Sequence, residues 1–456
     1  MTKRPNMSFS LQMLTKQSPW LLNAELIRQD THLTRLKQYP FVHHEVAFLN
    51  YKFDDGVYIV TGPRQIGKST HLKMLIEQKI TEKTKENFLY FNCDLLDKKQ
   101  DIVEVVETYI NHFGATTARR YSLLDEITSV KDSFLAIKFL VDSGHSHNLT
   151  YILTGSNTIS IKKTGEYLPG RRGKGIDFHF LPLDFKHSLQ LTHPDMEINL
   201  TLSSSEKDFM TLNQIINLPK TLNDYLKTGG FPRVINEYHQ KNRIDEDIFT
   251  IYRSWITSEI AKSDKKEYIA KGVLERSLLS LSSDTSYNAF AQDSGIGSHN
   301  TVYDYIDFFI NAYVLSQIYH FDIHQKKINY RKNKKIYFND PFIYAVIEAW
   351  LTGKPKQDYD YLIDPKPRSK LIENLVYLKL SHYFENIFYY KSNHEIDFVA
   401  DTYFIEVKYQ NKITKSDCKL LSEQQGKKII VTKNLMKQEN DILFIPIENF
   451  LLCDFL

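Results

Sequence analysis

Apolar residues along the chain occur in short continuous runs and in longer runs with helical spacing. The short runs at residues 57–60, 121–124 and 151–153 have the length of buried strands, and helical spacing follows the first of them at residues 71–80. Strands that alternate with helices are typical of an α/β fold. The first part of the chain is therefore predicted to be an α/β domain.

The middle of the chain follows a different pattern. Residues 207–265 have mostly helical spacing, which is broken at a double glycine. Residues 286–321 then predict a helix, a glycine turn and a second helix over about 301–311, which is the arrangement of a helix-turn-helix. The next stretch, "HQKKINYRKNKKIYF", reads as a hairpin.

The end of the chain returns to alternating strands and helices. A helix predicted over residues 369–384 precedes "HEIDFVADTYFIEVKYQ", residues 394–410, which predicts two short strands joined by a tight turn. Because successive side chains of a strand point to opposite faces, Glu406 and Lys408 share one face. Similar patterns follow in "KKIIVTKN" and "ILFIPIENF", so the tail is predicted to be a small α/β domain.

A chain of 456 residues is too long for one hydrophobic core, so several domains are expected. Loop-like stretches rich in Pro, Gly, Ser and charged residues suggest where these domains end. The predicted segments are an N-terminal lead-in at 1–50, an α/β core at 51–200, a helical segment at 201–265, a helix-turn-helix and hairpin segment at 266–350, a linker at 351–368 and a C-terminal α/β domain at 369–456.

Composition narrows the class of protein without identifying its activity. Hydrophobic residues make up 42% and charged residues 25%, as in ordinary soluble proteins, and the net charge of +3 is too small to indicate nucleic-acid binding. The three cysteines lack the spacing of a metal site, which fits a reducing compartment. Neither a secretory signal nor a long apolar run is found. We therefore expect a cytoplasmic protein with no membrane partner.

The stretch "GPRQIGKST" lies between the first predicted strand and a predicted helix, which is the context of a phosphate-binding loop. Glycines let backbone N–H groups converge on phosphate oxygens, and the helix N-terminus adds positive charge. Lys68 is predicted to reach the β- and γ-phosphates, and Ser69 to bind Mg²⁺. An ordinary glycine turn before a helix is the alternative. The predicted nucleotide-binding residues are Gly62, Arg64, Gly67, Lys68, Ser69 and Thr70.

Two acids end the strand predicted at residues 121–124. Asp125 is predicted to hold the magnesium ion through water, and Glu126 to polarise the attacking water. An apolar run before Asp-Glu is a weak signal alone, because many helices begin that way. Polar residues also follow the strand at 151–153, and of these Ser156 is favoured over Asn157 to touch the γ-phosphate or the water. No guanine-recognition Asn-Lys-x-Asp box is found, which favours ATP.

The motifs "GPRQIGKST", "LLDEI", "ILTGSN", "YLPGRRG…LPLDF" and "YLKTGGFPRV" occur in the order seen in a family of prokaryotic AAA+-type ATPases, which the chain resembles. The resemblance implies a P-loop core, a helical lid, a winged-helix segment and a C-terminal nuclease-like domain. It also implies that Arg171 faces the nucleotide, in its own subunit or a neighbouring copy, although Arg172 is adjacent and leaves the assignment open. Solvation of a loop by both arginines is the alternative.

The tail resembles the PD-(D/E)xK superfamily of restriction-endonuclease-like folds, which place a helix Glu, a strand Asp and Glu-x-Lys in this order. The resemblance implies that Asp397 and Glu406 bind Mg²⁺, that Lys408 orients water and stabilises developing charge, and that Glu373 completes the site. The usual Pro before the Asp is replaced by Ile396. A surface salt bridge, or a decayed fold that binds without cutting, is the alternative.

The hairpin predicted after the helix-turn-helix is strongly basic, and a basic wing is suited to a phosphate backbone. Its cations are Lys326, Lys327, Arg331, Lys332, Lys334 and Lys335. Packing or contact with a protein partner is the alternative. The resulting hypothesis is an ATP-hydrolysing, DNA-acting homo-oligomer with a metal-dependent nuclease tail. The rival hypothesis is a nucleotide-driven switch whose tail binds without cleavage.

Overall fold

The computed structural model describes residues 11–113, 118–144, 148–155, 168–353, 362 and 364–455. The chain divides into two compact units, Met1–Leu181 and Pro182–Leu456. Each unit has its own β-sheet and hydrophobic core. The six predicted segments are therefore grouped into two units, and the predicted α/β core ends earlier than residue 200.

The first unit is built on a five-stranded sheet in which every neighbouring pair of strands is parallel. The spatial order is β2-β3-β4-β1-β5. Because all strands run the same way, their carboxyl ends meet at one edge of the sheet, where ligands bind in such folds. The strands are β1 (Val57–Thr61), β2 (Phe88–Asn92), β3 (Arg120–Asp125), β4 (Leu149–Gly155) and β5 (Asp177–His179).

Helices cover this sheet, as the alternating pattern predicts. They are α1 (Leu11–Gln17), α2 (Thr31–Leu36), α3 (Val46–Leu49), α4 (Lys68–Lys79), α5 (Lys99–Phe113) and α6 (Ser133–Asp142), with short 3₁₀ turns between some of them. Helix α5 shows why the sequence folds this way: Ile102, Val105, Val106 and Tyr109 recur at helical spacing and are all buried. The α/β prediction for this part of the chain is confirmed.

Side chains of the N-terminal segment cover the edge strand β2. The Ser18 hydroxyl donates to the Tyr90 carbonyl and accepts from the Tyr90 N–H, both at 2.8 Å. The Trp20 indole N–H donates to the Phe88 carbonyl at 2.8 Å, and Trp20 is fully buried. An uncovered edge strand would expose these backbone groups. The lead-in is therefore an integral part of the first unit.

The second unit begins with helices, as predicted for residues 207–265, and contains the predicted helix, glycine turn and helix, with the two helices at Tyr287–Asp293 and His299–Asn311. Among the described residues, no helix is both long enough and apolar enough to cross a membrane. The helices are α7 (Phe185–Thr192), α8 (Glu206–Ile215), α9 (Leu218–Thr228), α10 (Pro232–Lys241), α11 (Glu246–Lys262), α12 (Glu267–Leu279), α13 (Tyr287–Asp293), α14 (His299–Asn311), α15 (Pro341–Thr352), α16 (Pro365–Ser381), α17 (Lys415–Ser422) and α18 (Ile447–Leu452).

The second unit also contains an eight-stranded mixed sheet in the order β13-β14-β12-β11-β10-β9-β7-β8. Its strands are β7 (Leu315–Asp322), β8 (Lys327–Phe338), β9 (Phe388–Lys391), β10 (Glu395–Ala400), β11 (Tyr403–Lys408), β12 (Lys427–Thr432), β13 (Lys437–Glu439) and β14 (Ile442–Pro446). A separate pair joins β6 (Leu200–Thr201) to β15 (Cys453–Asp454).

The predicted basic hairpin belongs to this large sheet. Strands β7 and β8 form the hairpin, and β7 pairs in parallel with β9 through Tyr319–Phe388 and His320–Tyr389. Strands from both sides of the predicted boundary at residues 351–368 therefore belong to one sheet. Part of that segment, 354–361 and residue 363, lies outside the described residues, and residues from Pro365 onward already belong to α16.

The double glycine between α9 and α10 packs on a buried carboxylate. Asp340 is 1% exposed, and it accepts hydrogen bonds from the Gly230 N–H and from the Phe342 N–H at the start of α15, each at 2.7 Å. Burial raises the pKa of Asp340 to about 7. Gly229 has φ 58° and ψ −156°, a conformation open essentially to glycine alone. The motif "YLKTGGFPRV" thus has a structural reason for its glycines.

Candidate functional site

The loop between β1 and α4 has the conformation that its glycines permit. Gly62 has φ 151° and Gly67 has φ 98°, both in the region that favours glycine. A Cβ at Gly62 would also lie 2.2 Å from the carbonyl oxygen of Phe180. The loop ends at Gly67, and α4 begins directly at Lys68. The predicted strand, glycine loop and helix are therefore present in the predicted order.

Lys68 is held inside this loop. Its side chain is 4% exposed, and its Nζ donates to the carbonyl oxygens of Gly62 at 2.8 Å and Pro63 at 3.0 Å. The same Nζ lies 3.9 Å from Oε1 of Glu126. An ammonium group at the N-terminus of a helix creates a strongly positive site, which attracts phosphate oxygens. The structure thus brings the predicted lysine and the predicted catalytic glutamate together.

Ser69 and Thr70 follow Lys68 in the first turn of α4, and both are half-buried. The Thr70 hydroxyl lies 3.5 Å from Nδ1 of His32, a residue of α2 in the N-terminal segment. Arg64 is half-buried within the loop. The predicted nucleotide-binding residues therefore surround one site, and His32 is a neighbour that the sequence did not predict.

Asp125 ends β3 at the carboxyl edge of the sheet and is 1% exposed. Its carboxylate accepts hydrogen bonds from the Tyr90 hydroxyl, at 2.7 Å, and from the Thr154 hydroxyl. Burial and the charge of Asp125 together raise the pKa of Tyr90, so Tyr90 remains a donor. A hydroxyl from Ser69 and a carboxylate from Asp125 are oxygen ligands of the kind that Mg²⁺ prefers, so the residues present fit the predicted ion.

Thr154 is a site residue that sequence reasoning missed. Its hydroxyl contacts Asp125 and accepts from the backbone N–H of Glu126 at 2.8 Å, so it fixes both acids. Glu126 has φ 50°, a left-handed conformation that turns the chain away from β3. The sequence signal that could have identified Thr154 is a polar residue near the end of an apolar strand. The predicted residues Ser156 and Asn157 lie outside the described residues.

Arg171 is not brought to the loop of its own chain. Its Nε donates to Oδ1 of Asp142, at the end of α6, at 2.6 Å. The adjacent Arg172 has its Nε 3.4 Å from the carbonyl oxygen of Val57, the first residue of β1. Both arginines therefore lie at the amino edge of the sheet, opposite the phosphate-binding loop. The reason is that this stretch leads into β5, which starts at that edge.

His71 links the loop to the N-terminal segment. Its Nδ1 lies 2.9 Å from the Gly67 carbonyl oxygen, and its Nε2 accepts from the Glu45 N–H at 3.1 Å. These partners require the neutral ring, with the proton on Nδ1. Burial, joined by the charge of nearby His43, lowers the pKa of His71 to about 4. A protonated ring would break the contact with Glu45.

Acidification should therefore destabilise the first unit through His71. The unfolded chain takes up a proton near pH 6.5 and the folded chain only near pH 4, so stability falls as pH falls through this window. Between pH 7 and pH 5 the loss should be about 2 kcal/mol. Urea unfolding followed by Trp20 fluorescence, with Trp255 and Trp350 replaced by Phe, measures it. His71→Gln should lack that part of the pH dependence, and an equal pH dependence in both proteins would contradict the assignment.

The predicted catalytic acids of the tail lie together in the second unit, but a lysine stands between them. Lys335 of β8 is 0% exposed, and its Nζ lies 3.1 Å from Oε1 of Glu373 and 2.8 Å from Oδ1 of Asp397. It also contacts Oε1 of Glu395. Burial lowers the pKa of Lys335, but the charges of Asp397 and Glu373 outweigh it and hold that pKa well above its usual range.

This position of Lys335 corrects the prediction that it contacts DNA as part of a basic wing. Lys334 is also buried, at 9% exposure, with its Nζ over the ring of Tyr287. Glu395 was not predicted at all. The sequence signal that could have identified Glu395 is its spacing of two residues from Asp397, which places both carboxylates on one face of β10.

Glu406 and Lys408 form the other half of the cluster. They contact each other through Oε1 and Nζ, and Oε2 of Glu406 accepts from the Asp397 N–H at 3.3 Å. Burial and the charge of Asp397 raise the pKa of Glu406 well above its usual range. Within the part of the chain that the structure describes, no three His, Cys, Asp or Glu side chains are arranged to hold a metal ion. Asp397 and Glu406 are thus paired with Lys335 and Lys408, and the magnesium site predicted there stays a prediction.

Comparison with known proteins gives three family matches along the chain. Residues 54–189 match an AAA domain, residues 219–356 match the domain of unknown function DUF8612, and residues 368–450 match the domain of unknown function DUF4143. Two uncharacterized proteins of Methanocaldococcus jannaschii are similar over most of the chain. MJ1544 is 23% identical over 83% of this chain and 80% of its own length, and MJ1637 is 24% identical over 86% and 84%.

Solved structures with a related arrangement include Aeropyrum pernix Orc1 in complex with DNA, at 10% identity and a TM-score of 0.32, covering 74% of this chain and 96% of that one. Another is the Thermotoga maritima Holliday junction branch migration motor RuvB, at 14% identity and a TM-score of 0.30, covering 65% and 93%. Scores this low carry no argument about function. The glycine loop, the acids of β3 and the family match agree, so residues 54–189 have the motifs and the parallel sheet of an AAA domain.

Proposed function

We propose that the protein binds and hydrolyses ATP with Mg²⁺ at the carboxyl edge of the first sheet. The observation that carries the proposal is the 3.9 Å distance between Nζ of Lys68, which the loop carbonyls hold, and Oε1 of Glu126. The Lys68 ammonium attracts the negatively charged phosphates, and the Glu126 carboxylate is the base that hydrolysis requires. A glycine turn with a purely structural role would have no reason to bring a buried lysine and a carboxylate together.

Each residue then has a distinct task. Backbone N–H groups of the loop and the Lys68 ammonium bind the phosphates and offset their negative charge. Ser69 and Asp125 would hold the magnesium ion, which supplies charge neutralisation when bound. Glu126 takes the proton of the attacking water. Thr154 is a positioning residue, because its hydroxyl contacts Asp125 and the Glu126 backbone.

A cavity beside α4 is suited to the adenine base. It has a volume of about 600 Å³ and lies among α2, α3 and the outer face of α4. Its lining combines apolar residues such as Leu33, Val46 and Met74 with five polar or charged residues: Lys37, His44, Asn50, Glu77 and Gln78. Small-molecule pockets of this size and character are typical of ligand sites. Met74 lies one helical turn after Thr70 on α4, the helix that begins at the phosphate-binding loop.

The proposal is tested by phosphate release from ATP by the purified full-length protein. Hydrolysis should require Mg²⁺ and should stop when EDTA removes it, because no residue of the loop replaces the charge of the ion. Adding duplex, single-stranded and branched DNA in parallel shows whether nucleic acid changes the rate. If wild-type protein releases no more phosphate than Lys68→Ala does, the proposal is wrong.

DNA contact is a second candidate function, and the exposed tip of the β7–β8 hairpin favours it. Four of its cations point to solvent: Lys326, Lys327, Arg331 and Lys332. Helix α14, the second helix of the predicted helix-turn-helix, exposes Asp304, which would repel phosphate. We therefore propose contact with the phosphate backbone rather than with base edges. Assembly of several copies, with Arg171 acting on a neighbour, stays a prediction.

Replacing those four hairpin cations by Gln should weaken binding to every DNA sequence alike. Each lost phosphate contact should reduce the slope of log affinity against log salt concentration by about 0.9. Fluorescence anisotropy with labelled duplexes at several salt concentrations measures both quantities. The matched control replaces four exposed lysines elsewhere in the second unit, Lys207, Lys220, Lys262 and Lys412. Equal losses in the two variants would contradict a role for the hairpin.

A further inference from the structure

The carboxylate cluster of the second unit has its cation supplied by the protein itself. Glu373 comes from α16, Glu395 and Asp397 come from β10, and the Lys335 ammonium lies among all three. We propose that Lys335 is a built-in counter-ion, which takes the place that the sequence pattern assigns to a divalent metal ion. The C-terminal sheet then holds no catalytic metal and performs no metal-dependent cleavage.

The oxygen atoms that face the centre already have partners. Oδ1 of Asp397 pairs with Lys335, and its Oδ2 accepts from the Val407 N–H at 2.9 Å. Oε1 of Glu373 accepts from the Tyr337 hydroxyl at 2.8 Å as well as from Lys335. A magnesium ion needs oxygen ligands at about 2.0–2.1 Å in near-octahedral geometry. It would also meet the positive charge of Lys335 at close range.

Lys335 has no route out of the cluster. Its backbone is fixed in β8, where it pairs with Ile318 of β7, and β7 is in turn joined to β9. Its side chain is fully buried, with the ring of Tyr389 5.8 Å from Nζ. Moving the ammonium aside would leave a buried charge without partners, which is strongly unfavourable. The lysine is therefore a fixed part of the fold rather than a gate that opens for a metal.

Lys335 also links the basic hairpin to the C-terminal part of the sheet, because it lies on β8 and contacts Asp397 of β10. The strand β8 that carries Lys335 also contributes Tyr337, which donates to Glu373 from the same face. Four carboxylates, Glu373, Glu395, Asp397 and Glu406, are thus opposed by Lys335 and by Lys408, which contacts Glu406. Either a protein cation or a metal ion can neutralise such an excess of negative charge, and in this chain the cation is the Lys335 ammonium.

The experiment is Mn²⁺ binding by the nucleotide-free full-length protein, measured by the loss of the free Mn²⁺ paramagnetic resonance signal. Wild type and Asp397→Asn should give the same binding curve, because the cluster holds no metal in either. Lys335→Met removes the internal cation while keeping an apolar side chain of similar length. It should gain a site at least about tenfold tighter than any in wild type, since the freed carboxylates are oxygen ligands.

Two controls define the gained site. The double variant Lys335→Met/Asp397→Asn should lose it, and Lys334→Met, at the adjacent position on the opposite face, should never show it. If Lys335→Met is too unstable to purify alone, Mn²⁺ should raise its thermal unfolding midpoint and leave that of wild type unchanged. Either of two results overturns the proposal: a wild-type Mn²⁺ site that Asp397→Asn abolishes, or a folded Lys335→Met that gains no site. The comparison of wild type with Asp397→Asn does not depend on the stability of any Lys335 variant.

Discussion

Replacing Lys68 with Ala should weaken ATP binding by at least about 100-fold, because truncating a buried charged partner costs about 3 kcal/mol or more. The ammonium is the one buried cation that the structure holds within hydrogen-bond reach of the loop carbonyls of Gly62 and Pro63, among the described residues. Calorimetry with ATP and Mg²⁺ measures the affinity. Affinity equal to wild type would mean that the nucleotide is bound elsewhere.

Replacing Glu126 with Gln should have the opposite signature, with binding kept and turnover lost. Gln keeps the shape of the side chain but cannot take a proton, and loss of a general base typically reduces the rate by about 100- to 10,000-fold. The backbone N–H of residue 126 still donates to Thr154, so Asp125 should remain in place. Single-turnover hydrolysis measures the chemical step directly.

The matched control for this substitution is Glu104→Gln, which removes the same charge from an exposed position on α5. It should leave both binding and turnover at wild-type levels. Turnover by Glu126→Gln that matches this control would show that another group activates the water.

Replacing Gly229 with Ala should destabilise the second unit by at least about 3 kcal/mol, because a residue with a Cβ is strained in this backbone region. A Cβ there would also lie 2.0 Å from Oδ1 of Asp340, which caps α15 and holds the Gly230 N–H. Neither neighbour can move without losing a buried hydrogen bond. Thermal unfolding and hydrogen exchange in α9, α10 and α15 measure the effect.

Substitution of two other glycines distinguishes backbone strain from the contact with Asp340 as the cause of this destabilisation. Gly295 also has a positive φ, of 66°, but a Cβ there meets nothing within 4 Å, so Gly295→Ala should cost only the backbone strain of about 1 kcal/mol. Gly297 has neither constraint, and Gly297→Ala should be nearly neutral. If Gly229→Ala costs no more than Gly295→Ala, the contact with Asp340 does not matter to stability.

Three of the five strands of the first sheet could be predicted because their apolar runs are local signals, whereas β2 and β5 were not predicted. The runs at 57–60, 121–124 and 151–153 correspond to β1, β3 and β4, and only the strand ends differ, where polar residues such as Thr61 and Asp125 continue the strand. The same holds for "HEIDFVADTYFIEVKYQ", which forms β10 and β11 as predicted. The phosphate-binding loop could also be predicted, because its glycines and the strand and helix that flank it are adjacent in sequence.

Contacts between distant segments could not be predicted in the same way. Lys335 precedes Asp397 by 62 positions, and a run of lysines in a hairpin looks the same whether it is solvated or buried. Nothing in the local pattern indicated that β7 would pair with β9. Arg171 shows the same limit in another form, because a motif gives the order of residues along the chain and not the edge of the sheet at which they lie. Thr154 directly follows the apolar run at 151–153, but the sequence pattern favoured Ser156, two residues further along.

The side chains that cover β2 show that the folded first unit extends beyond the part of the chain that matches the AAA domain. The AAA match begins at residue 54, yet Ser18, Trp20 and Gln17 bind backbone groups of β2, Gln17 through the Asn92 N–H at 2.7 Å. A chain trimmed to the start of the match would present a bare strand edge, which templates aggregation. An insoluble or inactive core fragment would therefore reflect the missing N-terminal residues, and only a protein that retains them reports on the ATPase itself.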